Sequence, residues 1–135
     1  MTPSQTPTMR QVAAAVIEKD GKILIAKRRQ KDPLGGKWEF PGGKLESDET
    51  PEACLRRELR EELGIETRVG EFLCSSRFVY RHIAIELLAY RTSYVSGEIT
   101  LHEHERVEWI LPEELNDYDF SEADKPILEK LKDEG

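Results

Sequence analysis

The stretch Thr50–Gly64 most constrains the fold, because it carries signals for both ends of one helix. Thr50 suits the N-cap, Pro51 suits the first helical position, and Gly64 suits the left-handed residue that ends a helix. Leucines recur at four-residue intervals between these signals, at Leu55, Leu59 and Leu63. The pattern therefore predicts a helix over residues 50–63 with one face packed inward.

Three glutamates lie beside the leucine stripe, at Glu58, Glu61 and Glu62. They share a face, because a helix advances ~100° per residue and positions i, i+3 and i+4 are neighbours. Such carboxylates raise one another's pKa, but they are suitable oxygen ligands for a hard divalent cation. Arg57 borders this face and can brace a carboxylate. The alternative is a solvated, charge-rich helix surface, which most charge runs are.

The length and net charge of the chain limit the number of domains and the kinds of partner that it can have. The chain has 135 residues, which suits one domain with a workable core, and its formal net charge is −7. We expect no nucleic-acid polymer as a partner, because such binding needs a basic surface. The two cysteines, Cys54 and Cys74, have no metal-ligand spacing and are expected to be ordinary thiols. The oligomeric state is left open between monomer and homodimer.

No apolar run approaches membrane-spanning length, so we expect no membrane partner. The N-terminus lacks an apolar signal region, which predicts a cytoplasmic location. Residues 1–9 are rich in Thr, Pro, Ser and Gln and are predicted to form a flexible tail. The remaining residues, 10–135, are predicted to form a single domain.

The order of apolar segments predicts the fold class. The predicted strands cover residues 12–17, 22–27, 38–40, 65–69, 72–80, 83–94 and 107–111, with a hairpin turn at Asp20-Gly21. Residues 95–105 read as a loop, and a second helix is predicted over residues 124–132 with Ile127, Leu128 and Leu131 facing inward. This order favours a mixed sheet covered by helices on opposite faces.

The spacing around the acidic helix points to a family. Gly43, Glu49 and the run Arg57-Glu58-Leu59-x-Glu61-Glu62-x-Gly64-Ile65 fill every defining position of the Nudix box. The chain therefore resembles the Nudix hydrolases. The resemblance implies an α/β (α+β) fold, the Nudix α/β/α sandwich with a central mixed β-sheet. It also implies hydrolysis of a nucleoside diphosphate linked to another group, with Mg²⁺ as cofactor and Mn²⁺ as a possible substitute.

The same resemblance implies which residues carry the chemistry. The implied catalytic and metal-binding set comprises Gly42, through its backbone carbonyl, and Glu58, Glu61, Glu62 and Glu103. Glu49 has a supporting role. The general base is left open, because some members use a box glutamate, here Glu58, and others a later one, here Glu103 or Glu105. Residues 102–105 also allow a zinc site without a clear third ligand, or a plain solvated loop.

The resemblance extends to the MutT-type enzymes, which cleanse nucleoside triphosphate pools, from about Val12 onward. It implies that Arg28 touches substrate phosphate and that Phe40 and Phe78 help wall the base pocket. The alternative for both phenylalanines is an ordinary core position. Asp124 stands where the enzyme that gives the branch its name has an asparagine that reads the base, although it could instead cap the terminal helix.

Aspartate at position 124 changes the expected base preference. An ionised aspartate only accepts hydrogen bonds and donates one only when protonated, so Asp124 suits an exocyclic amine of cytosine or adenine. We therefore predict Mg²⁺-dependent hydrolysis of nucleoside triphosphates, such as CTP-type nucleotides or 8-oxo-dGTP, to the monophosphate and pyrophosphate. The alternatives are another Nudix substrate, such as a nucleotide sugar or dinucleoside polyphosphate, and a non-catalytic nucleotide sensor.

Overall fold

The computed structural model describes residues 9–32, 35–80 and 82–134, apart from the side chain of Tyr80. Its strands are β1 (Met9–Lys19), β2 (Lys22–Arg28), β3 (Trp38–Glu39), β4 (Gly42–Lys44), β5 (Glu66–Tyr80), β6 (Ile83–Ser96) and β7 (His104–Ile110). The α-helices are α1 (Pro51–Leu63) and α2 (Lys125–Glu134), with 3-10 helices at Pro112–Asp117 and Glu122–Asp124. The predicted tail lies outside the described residues except for Met9, which begins β1.

Strand β1 lies in the middle of the sheet and is buried on both faces. Ala13, Ala15 and Ile17 pack in one cluster with the leucines of α1, whereas Ala14 and Val16 pack in the other, which contains the apolar residues of α2. Successive side chains of a strand point to opposite faces. The apolar run of β1 therefore contributes side chains to both hydrophobic cores. The predicted mixed sheet with a helix on each face is confirmed.

Along one of its edges β1 pairs with two different strands in succession, so the sheet forks at this edge. β1 runs parallel to β6 along one edge. On its other edge it pairs antiparallel with β4 over residues 12–14 and with β2 over residues 17–19. At the fork the Ala15 N–H donates to the Pro41 carbonyl at 2.8 Å. Beyond Leu24, β2 separates from β1 and continues against β7 and β3.

The ends of α1 match their sequence signals. Thr50 is the N-cap, and its hydroxyl oxygen accepts a hydrogen bond from the Ala53 N–H at 3.1 Å. Gly64 adopts a left-handed conformation with φ of 72° and donates from its N–H to the Arg60 carbonyl. The three leucines of the stripe are fully buried. The predicted helix is confirmed to within one residue.

Several predicted boundaries differ from the structure because long-range pairing sets them. The two strands predicted over residues 65–80 are one strand, β5, since β6 pairs with nearly all of it across two register shifts near Phe72. Strand β7 begins at His104 instead of Val107, because Arg28 of β2 provides its partner. Helix α2 begins at Lys125, after a 3-10 turn that ends at Asp124. No helix in the described ranges is both long and apolar enough to cross a membrane.

We predict that Leu59→Ala destabilises the fold, because Leu59 is fully buried between α1 and the sheet. Such truncations leave a cavity and lower the free energy of unfolding by about 2–5 kcal/mol. Urea unfolding followed by circular dichroism measures the change. The matched control is Leu111→Ala, since Leu111 is 40% exposed. An equal loss in both variants would contradict the packing described for α1.

Candidate active site

A cleft of about 730 Å³ opens at the fork of the sheet, beside the first half of β1 and strand β4. It brings together residues that are distant in the sequence, including most of the predicted site. The predicted residues that line it are Arg28, Phe40, Gly42, Glu62, Phe78 and Asp124. Two predicted metal ligands therefore share the cleft with the predicted substrate-binding residues, whereas Glu58, Glu61 and Glu103 are not part of its lining.

Glu62 lines the cleft and is surrounded by other carboxylates. Its Oε2 atom is buried and has no hydrogen-bond partner among the described residues. Burial raises its pKa to about 9, with further contributions from the carboxylates of Glu58, Glu39, Glu103 and Glu61. A buried carboxylate surrounded by like charges is unfavourable when ionised unless a cation compensates it. Glu62 therefore fits a divalent ion.

Arg57 organises the acidic face from the side. Its Nε and Nη2 atoms donate to the two carboxylate oxygens of Glu49 at 2.8 and 2.9 Å. Its Nη1 donates to Glu58 at 2.9 Å and to Glu61 at 3.4 Å, and Nη2 also reaches the Lys44 carbonyl at 3.2 Å. The hydrogen bonds from Arg57, together with one from the Glu46 N–H, lower the pKa of Glu49 to about 2. Arg57 thus braces the carboxylates, as the sequence indicated, and ties the loop after β4 to α1.

The two glycines of β4 lie close to their neighbours, Gly42 against the backbone of β1 and Gly43 against the movable end of the Glu58 side chain. A Cβ on Gly42 would lie 1.9 Å from the Ala13 carbonyl oxygen, and one on Gly43 would lie 2.4 Å from the carboxylate carbon of Glu58. Burial raises the pKa of Glu58, and Arg57 opposes that rise. The glycines therefore let the β4 backbone lie directly against β1 and against the acidic edge of α1.

The predicted metal-ligand residues have the right chemistry for the ion, but their side chains do not all converge on one point. Carboxylate and carbonyl oxygens are what Mg²⁺ and Mn²⁺ prefer, and Glu62 has an oxygen without a partner. In the described part of the chain, however, no three His, Cys, Asp or Glu side chains converge to hold an ion. Glu58 is engaged by Arg57, and the Glu61 side chain is 62% exposed. The metal-binding roles therefore stay predictions.

The loop before β7 carries Glu103 to the end of α1. The Thr100 N–H donates to the Leu63 carbonyl at 2.9 Å, and the His102 N–H donates to the Glu62 carbonyl at 3.2 Å. Arg29 donates to the His102 carbonyl at 2.9 Å. The Glu103 charge is close enough to raise the pKa of Glu62. The loop therefore presents Glu103 to the acidic edge.

The remaining residues of that segment point to different partners. Glu105 lies 3.3 Å from Lys27 in an ion pair. His104 is buried, with its Nε2 atom 2.9 Å from Oε2 of Glu39. Since His104 is occupied in this way and no metal-binding group of three is found among the described residues, the zinc interpretation has no support.

Glu39 is a site residue that the sequence reasoning missed. It lines the cleft, and its Oε1 accepts a hydrogen bond from Nη1 of Arg28 at 2.9 Å while its Oε2 faces His104. Burial alone would raise its pKa, but the His104 hydrogen bond and the Arg28 charge lower it below the usual value. The available signal was a carboxylate between two aromatic residues, Trp38 and Phe40, in a segment that is otherwise apolar.

Asp124 and Phe40 lie next to each other in the lining of the cleft. Asp124 is 5% exposed, and it accepts hydrogen bonds from the Ser121 hydroxyl at 2.9 Å and from the Phe40 backbone. Burial, together with the charge of Glu39, raises its pKa to about 7. Phe40 is buried and stacks on Phe120 with ring centroids 5.2 Å apart, so it is a core residue as well as a cleft residue.

Comparison with known proteins agrees with this geometry. Residues 7–131 match the model of the NUDIX domain. The chain is 46% identical to CTP pyrophosphohydrolase of Escherichia coli (strain K12) over 121 residues, which cover 90% of each protein. It is 33% identical over 123 residues to 8-oxo-dGTP diphosphatase of the same organism, with coverage of 90% of this chain and 95% of the relative.

A solved structure is similar to this chain over nearly its whole length. The solution structure of the E. coli ORF135 protein matches with a TM-score of 0.86 at 42% identity, covering 97% of this chain and 94% of that one. Sequence and structure comparisons therefore agree over nearly the whole chain. This protein belongs to the Nudix family of hydrolases.

Proposed function

We propose that this protein is a Mg²⁺-dependent nucleoside triphosphate pyrophosphohydrolase that acts on CTP-type or oxidised nucleotides such as 8-oxo-dGTP. It would release the nucleoside monophosphate and pyrophosphate and so cleanse the nucleotide pool. The observation that carries the proposal is a single cleft that joins the uncompensated Glu62 to the buried Asp124. Its volume of about 730 Å³ lies in the range of small-molecule sites.

The end of the cleft near Glu62 suits the phosphate chain. The residues that would hold the cation are Gly42, Glu58, Glu61, Glu62 and Glu103, and Mn²⁺ could replace Mg²⁺. When bound, such a cation neutralises phosphate oxygens and acidifies a water molecule. Arg28 lines the same cleft, and its planar guanidinium suits phosphate oxygens. We assign it to the substrate phosphates.

Two carboxylates are suited to accept the proton of the attacking water. Glu58 lies on the helix at the edge of the site, and Glu103 lies on the loop that is hydrogen-bonded to the end of α1. Glu105 is the weaker candidate, because Lys27 is its partner in the structure. The catalytic set therefore stays Glu58, Glu61, Glu62 and Glu103.

The end of the cleft near Asp124 suits the base. Phe40 and the half-buried Phe78 line this cleft and offer flat apolar surfaces. Because the pKa of Asp124 is raised to about 7, its ionised and protonated forms are both present near neutral pH. The ionised form accepts from an exocyclic amine, and the protonated form donates to a carbonyl. This agrees with relatives named for CTP and for 8-oxo-dGTP.

A substrate panel tests the proposal directly. We expect CTP, dCTP, dGTP and 8-oxo-dGTP to yield pyrophosphate when Mg²⁺ is present, with clear differences in kcat/KM among them. Products are separated by ion-exchange chromatography, so that pyrophosphate is distinguished from phosphate. Preferential cleavage of nucleotide sugars or dinucleoside polyphosphates would overturn the proposed substrate class. Equal background rates for all triphosphates would overturn the proposed turnover.

Glu62→Gln tests the metal-binding assignment. We expect kcat to fall about a hundredfold or more, because the amide keeps the size of the side chain and removes the charge that binds the cation. Mg²⁺ should also raise the melting temperature of the wild type more than that of the variant. The matched control is Glu52→Gln, an exposed change in the first turn of the same helix. Wild-type rates and an undiminished Mg²⁺ shift in Glu62→Gln would remove the assignment.

Asp124→Asn tests the base contact through pH. The raised pKa of Asp124, about 7, means that its carboxylate is ionised above this pH and protonated below it. For CTP, we expect kcat/KM of the wild type to rise between about pH 6 and 8, because the ionised form accepts from the amine. The variant should lose this rise and change its ranking of purine and pyrimidine triphosphates.

The control for this variant is Asp119→Asn, at an exposed carboxylate paired with Lys37 at 2.7 Å. It should keep the wild-type pH profile and substrate ranking. If Asp124→Asn also kept both, Asp124 would not be the residue that reads the base.

A further inference from the structure

His104 is a buried polar side chain for which the proposed function has no use. It begins β7 and is 5% exposed, and its Nε2 atom lies 2.9 Å from Oε2 of Glu39. Burying an imidazole and a carboxylate side by side is unfavourable unless they bond to each other. The contact joins two strands, β3 and β7, whose residues are 65 positions apart.

The hydrogen bonds around Glu39 determine which atom is the donor in its contact with His104. Arg28 donates to one carboxylate oxygen of Glu39, so the other is left for His104. An ionised carboxylate only accepts, so Nε2 of His104 must carry the proton. The Nδ1 atom is buried without a hydrogen-bond partner among the described residues. If Nδ1 carries no proton, there is no unpaired buried N–H at this atom. This agrees with the tautomer in which Nε2 carries the proton.

The three side chains form a line that leads into the cleft. Arg28 and Glu39 line the cleft, whereas His104 lies behind Glu39 and is not part of the lining. Removing the imidazole would leave one oxygen of Glu39 buried and unpaired, and the carboxylate would turn toward water or toward Arg28. Either movement changes the direction in which the Arg28 guanidinium is held.

We propose that His104 is a positioning residue that acts through Glu39 to hold Arg28 in the orientation that binds the substrate polyphosphate. This inference rests on the proposed function, because it assigns the bound group to the phosphates of a nucleotide. The Glu39 carboxylate has one oxygen for each of its two neighbours. His104 therefore fixes the carboxylate from behind while Arg28 is fixed in front of it.

The first test compares two replacements of His104. His104→Leu fills much of the volume and removes the donor, whereas His104→Gln keeps an amide N–H that can reach Glu39. Since Arg28 contributes binding in the ground state and the transition state alike, we expect His104→Leu to raise KM for CTP about tenfold with kcat changed less than about threefold. We expect His104→Gln to recover KM to within about threefold of the wild type.

The matched control is His102→Leu, the same substitution at an exposed histidine two positions earlier. Its KM should equal that of the wild type. A merely structural role for His104 would lower the melting temperature and the active fraction but leave KM unchanged. An unchanged KM in His104→Leu, or an equal rise in His104→Gln, would therefore overturn the proposal.

Two measurements separate this proposal from the proposed function. The ¹⁵N chemical shifts of the His104 ring in the wild type should show a protonated Nε2 and an unprotonated Nδ1, and the opposite pattern would overturn the inference. Titration calorimetry with CTP and without divalent cation should show affinity about tenfold weaker in His104→Leu and restored in His104→Gln. Equal affinities would overturn it. If the wild type bound CTP but hydrolysed neither CTP nor 8-oxo-dGTP when Mg²⁺ was supplied, the proposed function would be overturned instead, and the affinity comparison would still decide the role of His104.

Discussion

The arrangement of the acidic face depends on Arg57. One guanidinium bonds to both oxygens of Glu49, to Glu58 and to the Lys44 carbonyl, and so joins the helix to the loop that precedes it. Without a cation among them, these carboxylates would repel one another, and the loop would lose the hydrogen bonds by which Arg57 holds it to α1. With it, the β4 backbone lies so close to Glu58 that a Cβ at position 43 would push the Glu58 carboxylate out of its place beside Arg57. The helix edge and the glycine strand are therefore one structural unit.

Two half-buried carboxylates in the same cleft, Glu39 and Glu62, have pKa shifts in opposite directions. Glu39 and Glu62 are both penalised by burial, but Arg28 and His104 more than offset the penalty for Glu39. Glu62 has no such partner in the described part of the chain, and its neighbours are themselves acidic. Burial alone therefore does not distinguish the two carboxylates, and the lack of compensation is what favours Glu62 in the proposed metal-binding role.

The sequence predicted what local chemistry determines and missed what long-range pairing determines. The ends of α1 were predicted to within a residue, because Thr50 and Gly64 act on their own helix. The forked pairing of β1 and the early start of β7 depend on partners far along the chain, so periodicity could not predict them. Glu39 was missed for the same reason: alone it is one charge in a short strand, and its importance comes from the side chains that fold around it.

Glu39 also acts on two other carboxylates of the cleft. Its charge raises the pKa of Glu62, which we assign to the phosphate end, and the pKa of Asp124, which we assign to the base end. A carboxylate that acts on both ends must stay in one place, since a small change in its position would alter both environments at once. The pair of donors on Glu39, one from β2 and one from β7, provides that constraint. The short strand β3, just before the glycines of β4, thus holds the carboxylate whose charge acts on both Glu62 and Asp124.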